Sequence, residues 1–115
     1  QLKQVFLNII LNAVEAMSQN PPERSRTLII SIEKGASIDD HSHYLLLSFE
    51  DSGKGIGEKD LDHIFNPFFT TKDEGTGLGL AICYGIINRH EGEIEVHSTP
   101  GKGTCFTIKL PQYIV

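Results

Sequence analysis

Polar and apolar residues alternate strictly along Thr104-Cys105-Phe106-Thr107-Ile108-Lys109-Leu110, near the end of this 115-residue chain. The same alternation runs through Glu93-Ile94-Glu95-Val96-His97, and a turn from Ser98 to Gly103 joins the two stretches. A period of two predicts strands of a sheet with one buried and one solvated face. Helices must cover the buried face. We therefore expect an α+β fold, a two-layer α/β sandwich whose mixed, mostly antiparallel sheet is covered on one face by helices.

The rest of the chain supplies the other strands and the helices. Apolar residues recur at steps of three and four from Leu2 to Met17, which predicts an amphipathic helix. The segment 65–77 has no clear period, and a loop of that length in a compact domain is usually functional. The remaining predicted elements are strands at Leu28–Glu33 and Tyr44–Glu50, a hairpin loop from Gly35 to Ser42 between them, a short helix over Glu58–Ile64 and a longer helix over Leu78–Arg89.

Composition and charge restrict the possible functions. The net charge of −5 argues against a nucleic-acid partner, because binding to a phosphate backbone needs a clustered basic face. Cys83 and Cys105 lack metal-ligand spacing, so we expect buried free thiols in a reducing compartment. We predict one domain over residues 1–115. Since the chain begins inside a helical pattern without an initiator Met, we interpret it as a fragment of a longer protein.

The glycine-rich run Gly75-Thr76-Gly77-Leu78-Gly79-Leu80 leads directly into the second long helix. Such a junction presents unpaired N–H groups and the positive end of a helix dipole, which together favour phosphate. Glycine also lets the backbone approach an anion closely. The alternative is a mobile turn before a helix.

Asn8 and Asn12 are four residues apart in the first helix and therefore share one face, with Glu15 further along. Asparagine is a poor helix former, so two of them beside an apolar stripe suggest a function. Their amide oxygens suit Mg²⁺, which prefers hard oxygen ligands. The alternative is a pair of solvent-facing residues.

The segment Asp51-Ser52-Gly53-Lys54-Gly55 follows a strand. A carboxylate there can accept a hydrogen bond from an exocyclic amine, and glycines admit a flat ring without Cβ clashes. Thr104 would place a hydroxyl group in the same pocket if its strand neighbours that of Asp51. A plain β-turn is the alternative, and an EF-hand is excluded because its later oxygen ligands are absent.

Aromatic residues and a lysine are concentrated in Phe65-Asn66-Pro67-Phe68-Phe69-Thr70-Thr71-Lys72. Aromatic residues in a loop usually cover something, so this segment is predicted to be a lid. Lys72 could reach a terminal phosphate as a point charge. The alternative for Lys72 is a solvated side chain.

These motifs together resemble the catalytic ATP-binding domain of bacterial sensor histidine kinases, within the gyrase, heat-shock chaperone, histidine kinase and mismatch-repair ATPase superfamily. Asn8 to Ala13 is similar to the family's N box, and Phe65-x-Pro67-Phe68 to its F box. Its glycine boxes are resembled by Asp51-x-Gly53-x-Gly55, Gly75-x-Gly77-x-Gly79 and Gly101-x-Gly103-Thr104. Five motifs in order span nearly the whole chain. The resemblance implies a Bergerat-type ATP-binding fold.

The resemblance also implies roles for individual residues. Asp51 would accept from the adenine amino group, with Thr104 assisting through a water, and Asn12 would ligate Mg²⁺. Asn8, Asn12 and Lys72 would form the catalytic set. The ATP-binding set would comprise Asn8, Asn12, Asp51, Gly53, Gly55, Ile56, Phe65, Lys72, Gly75, Thr76, Gly77, Leu78, Gly79, Leu80 and Thr104.

Asn8 stands where the true ATPases of the superfamily carry a glutamate that acts as general base toward water. An amide cannot take that proton, so the resemblance implies transfer of the γ-phosphoryl group rather than hydrolysis. Glu15 lies almost a full turn beyond Asn12 and is a poor substitute base. No histidine here fits the family's acceptor pattern; His90-Glu91, for example, is followed at once by Gly92.

The function expected from this resemblance is protein-histidine kinase activity with Mg-ATP in two-component signalling. The partners would be a dimerisation and phosphoacceptor helical domain of the same protein and a downstream response regulator. The fragment itself should be monomeric. We expect a cytoplasmic location, with any membrane anchor outside these residues. A serine protein kinase and a non-catalytic, ATP-driven switch module are the alternatives.

Overall fold

The computed structural model describes residues 1–36, 43–69 and 79–112. Three helices and four strands form within these ranges. In chain order they are α1 (Leu2–Met17), β1 (Leu28–Ala36), β2 (His43–Asp51), α2 (Glu58–Leu61), α3 (Gly79–Arg89), β3 (Glu93–Thr99) and β4 (Gly103–Pro111). The predicted α+β class is confirmed.

The four strands form one sheet in the order β1-β2-β4-β3, and every strand pair in the described ranges is antiparallel. The two predicted hairpins are therefore present, β1 with β2 and β3 with β4. The central pairing joins β2 to β4, which are distant in sequence. This long-range pairing brings Asp51, the last residue of β2, opposite Thr104 near the start of β4.

Alternate residues of the sheet point toward the helices and form the core. Leu47 pairs with Ile108 and Phe49 with Phe106, and all four side chains are buried. Helix α1 packs against both α3 and β2, while α3 packs against β3. The helices contribute the buried residues Val5, Ile9, Ala13, Met17, Cys83, Ile86 and Ile87. The expected two-layer arrangement is confirmed.

The helices that cover the sheet do not extend over its β1 edge. Ile30 and Ile32 lie opposite Phe49 and Leu47, so they point to the same face as the core. Ile32 is nevertheless 65% exposed and Ile30 is 49% exposed. The same inward side of the sheet is thus buried over β2 and β4 and open over β1.

Several element boundaries differ from the sequence prediction. The short helix predicted over Glu58–Ile64 ends at Leu61. Beyond it, the N–H of His63 bonds the carbonyl of Asp60, and the N–H of Asn66 bonds that of His63. These three-residue spacings belong to successive tight turns, which is why the helix does not continue.

Strand β4 extends one residue beyond the predicted end and includes Pro111, which pairs with Tyr44 of β2. Strand β3 pairs only as far as Lys109 on the other side. The missing N–H of the proline therefore falls where β4 has one neighbour, as expected for proline in a strand.

The two cysteines differ in burial. Cys83 and Cys105 are both free, but only Cys83 is fully buried, since Cys105 is partly exposed. Among the helices of the described ranges, none combines the length and apolar character required to cross a membrane.

Candidate functional site

The inward face of the sheet changes from apolar to polar at one end. Asp51 and Thr104 are direct cross-strand partners, on the same face as the cross-strand pair Phe49 and Phe106 and two residues beyond it along each strand. They are 6% and 5% exposed, which makes them two of the three buried polar residues in the described ranges. The strands of Asp51 and Thr104 are thus neighbours, which is the condition on which Thr104 is expected to share a pocket with Asp51.

Asp51 is held as an acceptor by the backbone that follows it. Its Oδ1 accepts a hydrogen bond of 2.8 Å from the N–H of Gly53. Burial is the dominant influence on its pKa and raises it above the ordinary range. The N–H groups of Gly53 and Thr104 and the charge of Arg24 oppose that rise. The carboxyl group can thus still accept a hydrogen bond from a ligand, and its burial away from water would make that hydrogen bond stronger.

Two glycines allow the backbone to close around this carboxyl group. Gly103 has φ +134, and a Cβ there would collide with the carbonyl oxygen of Asp51. Gly55 has φ +76, and a Cβ there would collide with the carbonyl oxygen of Thr99. Both positions combine a backbone conformation that favours glycine with a close backbone approach.

Gly53 serves a different contact from the one expected for it. A Cβ at this position would lie 2.7 Å from the Cβ of Ala16, so the space that the glycine leaves is filled by helix α1. The N–H of Lys54 also donates to the carbonyl of Ala16, at 3.2 Å. The segment after β2 is therefore fixed against the end of α1.

Arg24 and Asn20 belong to this site, although the sequence did not single them out as functional. Arg24 Nη2 donates to the carbonyl of Gly53 at 2.6 Å. Asn20 is buried and donates to the carbonyl of Ser52 at 2.9 Å. The positions of Arg24 and Asn20 in the sequence do not predict these contacts, because the contacts form only when the loop after α1 packs against the segment after β2.

Asn8 and Asn12 lie on one face of α1 and are partly buried. Asn8 Nδ2 approaches the carbonyl of Gly79 at 3.5 Å and Sγ of Cys83 at 3.7 Å. The Asn8 side chain therefore faces the beginning of α3, where the glycine-rich run enters the helix. Asn12 follows one turn later toward the end of α1 that Gly53 contacts.

The described part of the predicted lid is anchored on the core. The ring of Phe65 is half-buried and lies 5.4 Å from the ring of Tyr84 and 6.4 Å from that of Phe106. Phe68 is instead 74% exposed and adopts a φ of 69°, which is uncommon for a residue with a side chain. Ile56 and Leu80, also predicted to bind the nucleotide, pack partly buried against the core.

Other predicted positions cannot be placed. Lys72 and residues 75–78 (Gly75, Thr76, Gly77 and Leu78) lie outside the described residues. Gly79 is the first described residue of the glycine-rich run and begins α3, and a Cβ there would meet nothing within 4 Å. The described residues thus bring Asp51, Thr104 and the neighbouring glycines together at the sheet end and Asn8 beside Gly79.

Ser98 completes the polar row across the sheet, and sequence reasoning treated it only as part of a turn. It pairs with Thr104 from the β3 side, opposite Asp51 on the β2 side. The two hydroxyl oxygens are 2.8 Å apart. The alternation of β3 was the available signal, since it places Ser98 on the same face as Ile94 and Val96.

The donor set limits which metal the site could hold. The described residues contain no group of three His, Cys, Asp or Glu side chains able to bind a metal ion. An ion here would need amide oxygens together with ligand oxygens or water. That combination fits Mg²⁺, which keeps several waters and is bound through few protein groups plus phosphates.

Comparisons with known proteins identify the family of the chain. A family model described as Histidine kinase-, DNA gyrase B-, and HSP90-like ATPase matches residues 1–114. Sensor histidine kinase ZraS of Escherichia coli (strain K12) is 46% identical over 114 residues, which cover 96% of this chain. The chain spans only 22% of that relative's length.

Two solved structures extend the likeness to three dimensions. The nucleotide-free catalytic domain of histidine kinase ThkA has a TM-score of 0.73 and 37% identity, over 96% of this chain and 65% of that one. Full-length ShkA in complex with AMPPNP has a TM-score of 0.72 and 29% identity, over 96% of this chain and 21% of that one.

Proposed function

Since this chain belongs to the family of histidine kinase-, DNA gyrase B- and HSP90-like ATPases, it is an ATP-binding domain, and we propose that it binds Mg-ATP and donates the γ-phosphoryl group to a histidine outside this chain. The proposed setting is two-component signal transduction. The observation that carries the site assignment is the buried pair of Asp51 and Thr104 at the polar end of an otherwise apolar sheet face.

The adenine end of the site lies at this pair. Asp51 accepts from the exocyclic amine of adenine, and Thr104 assists through a bound water. The burial of both residues supports this role, because a hydrogen bond in a desolvated place discriminates strongly against ligands that leave it unmade. Gly53, Gly55 and Ile56 shape the backbone beside the base.

The phosphate end lies between α1 and α3. Asn12 ligates Mg²⁺ through its amide oxygen, and Asn8 lies beside the metal and the phosphates. The N–H groups of the first turn of α3 have no partner within the helix, which suits them to phosphate oxygens. Mg²⁺ would neutralise charge that develops on the phosphates. We further propose that the rest of the glycine-rich run binds the phosphates. The Phe65–Lys72 lid covers the nucleotide, and Lys72 contacts the γ-phosphate.

Asn8 supports transfer rather than hydrolysis. Its amide cannot accept a proton from water, so it cannot be the general base that a hydrolase needs. Its Nδ2 lies 3.5 Å from the carbonyl of Gly79, a contact that a carboxylate could not make as a donor. Catalysis then depends on positioning and on charge neutralisation.

The acceptor and the partners lie outside this chain. Of the histidines in the described ranges, His90 best resembled an acceptor in sequence, but its Nδ1 bonds the carbonyl of Ile86 at 2.8 Å. We propose that residues 1–115 are one domain of a longer cytoplasmic or membrane-anchored protein, monomeric when isolated. A dimerisation helical domain supplies the histidine, and a response regulator receives the phosphoryl group.

The test is phosphoryl transfer in the full-length protein, with ATP radiolabelled on its γ-phosphate. We expect Mg²⁺-dependent, acid-labile label on histidine, formed faster than free phosphate. At limiting ATP, Asp51→Asn should form the label more slowly because it binds nucleotide more weakly, while Glu95→Gln, on the exposed face of β3, should label like wild type.

Three outcomes contradict the proposal. Rapid release of phosphate without phosphohistidine would make the domain a hydrolase. Acid-stable label would indicate a serine kinase. Nucleotide binding with no transfer to any acceptor would indicate a switch module driven by ATP.

A further inference from the structure

We propose that Ser98 is a positioning residue that fixes the hydroxyl group of Thr104 as a hydrogen-bond acceptor, and so makes the site select a 6-amino purine over a 6-oxo purine. The proposal deepens the ATP-binding part of the proposed function and does not depend on phosphoryl transfer. It rests on the hydrogen bonds around one side chain.

Ser98 Oγ has three polar neighbours. The N–H of Ile56 donates to it at 2.7 Å. The carbonyl oxygen of Gly103 lies 2.9 Å away, and Oγ1 of Thr104 lies 2.8 Å away. A hydroxyl group has one proton and two lone pairs, so three partners saturate it.

The identity of the partners assigns every proton. A carbonyl oxygen can only accept, so the proton of Ser98 goes to Gly103. The N–H of Ile56 occupies one lone pair of Ser98. The remaining contact must then use the second lone pair, which makes Thr104 the donor to Ser98.

The consequence falls on Thr104. Its only proton is committed to Ser98, so its oxygen can offer only lone pairs to a ligand or a bound water. Asp51, its neighbour on the other side, is an acceptor as well when ionised. Both buried groups at this end of the site therefore require a donor from the ligand side.

A 6-amino group meets that requirement, either by donating directly or by donating to a bound water that in turn donates to the protein. A 6-oxo purine brings a further acceptor oxygen to the place where the 6-amino group would donate. Its N1–H can satisfy only one neighbour, and the 6-oxo oxygen, ionised Asp51 and Thr104 have no proton to give one another. Leaving buried polar groups unpaired is strongly disfavoured, which is how such a site rejects a close analogue. Without Ser98, the Thr104 hydroxyl could turn and donate to a 6-oxo group.

The experiment measures equilibrium binding of ATP and of inosine triphosphate, with Mg²⁺, to the full-length protein and its variants. Wild type should prefer ATP. In Ser98→Ala the ratio of the two dissociation constants should fall about 5-fold, the equivalent of one hydrogen bond. Ser98→Thr, which keeps a hydroxyl group at the same place, should restore the ratio.

A double variant separates selectivity from support of the fold. In a Thr104→Val background, Ser98→Ala should change the ratio no further, because the group that it orients is gone. Ser48→Ala, on the same sheet but next to Phe49 in β2, should leave the ratio at the wild-type value.

One result would overturn the proposal. If Ser98→Ala weakens ATP and inosine triphosphate by the same factor, Ser98 merely tethers the backbone at Ile56. Should Ser98→Ala fail to fold, Ser98→Cys replaces the hydroxyl group by a thiol, which is a weak acceptor for the Thr104 proton. A lowered ratio in correctly folded Ser98→Cys then supports the role, and an unchanged ratio contradicts it. Loss of phosphoryl transfer with an intact ratio would contradict only the proposed function.

Discussion

At the scale of single residues, Asp51 combines function with a cost in stability. The carboxyl group is buried where ionisation is disfavoured, and its pKa is raised mainly for that reason. Since the folded state then holds the proton more tightly than the unfolded state, the stability from this group is present below the unfolded pKa. It is lost as the pH rises through the higher folded pKa.

Replacing Asp51 by asparagine should therefore separate binding from stability. Asp51→Asn keeps the oxygen that accepts from Gly53 but removes the buried charge. We expect ATP affinity to fall about 10- to 100-fold, as a charged hydrogen bond is lost. The unliganded variant should be more stable than wild type at neutral pH, with the difference shrinking toward acid pH.

Thermal unfolding of both proteins across the acid range measures this difference, and titration with ATP measures the binding. Glu95→Gln removes an exposed carboxylate from β3 and is the control. A variant that is less stable than wild type at every pH would show that the hydrogen bonds to the carboxylate outweigh its burial.

At the scale of elements, the site is fixed where strand ends and turns approach one another through their backbones. Strand β4 begins at Gly103, which lies against the last residue of β2. The segment after β2 carries Gly55, which lies against Thr99 at the end of β3. The N–H of Gly101 also donates to the carbonyl of Lys54, at 2.7 Å. Two connections thus brace each other around Asp51.

A methyl group at Gly103 should break this brace. Gly103→Ala forces a side chain into a backbone conformation that favours glycine and against the Asp51 carbonyl oxygen. We expect a loss of about 2 kcal/mol or more in the free energy of unfolding, together with weaker ATP binding. Urea denaturation and nucleotide titration measure the two effects.

Gly57→Ala is the matched control, because a Cβ at Gly57 meets nothing within 4 Å and its φ is −66°. Its free energy of unfolding should stay within about 0.5 kcal/mol of wild type. A loss in Gly103→Ala as small as that in Gly57→Ala would mean that the start of β4 tolerates a side chain and that the brace is not needed.

At the scale of the whole molecule, one apolar layer supports a polar site at its end. The core rows Leu47 with Ile108 and Phe49 with Phe106 lead directly to Asp51 and Thr104. The same face of the sheet is open over β1, where Ile32 is 65% exposed. Stability should therefore depend far more on β4 than on β1.

Two isoleucines on the same face test this difference. Ile108 is 0% exposed, so Ile108→Ala should lower the free energy of unfolding by about 3 kcal/mol, from lost burial and the cavity that remains. Ile32→Ala, made as the control, should cost less than about 0.5 kcal/mol. Chemical denaturation measures both, and comparable losses would mean that β1 is covered in solution.

The sequence predicted what depends on local pattern. Alternating polar and apolar residues predicted β3 and β4, and apolar residues at steps of three and four predicted α1. The turn glycines indicated where the connections lie. The contacts of Arg24 and Asn20 with the segment after β2 could not be predicted, because they depend on how a distant loop packs. The end of α2 at Leu61 was not predicted, because the residues of the tight turns that follow it have a composition that also suits a helix. Ser98 was hidden by the turn in which the sequence placed it.

The burial of Cys83 between α1 and α3 makes its thiol a probe of how often these two helices separate. Cys83 is 0% exposed and approaches both Asn8 and the carbonyl of Val5, and burial raises the pKa of its thiol. A reagent that attacks thiolates meets Cys105 at the surface of the native sheet but reaches Cys83 only when the two helices separate. The rate at which Cys83 is modified therefore records how often the helices part, and a nucleotide that bridges them would slow it.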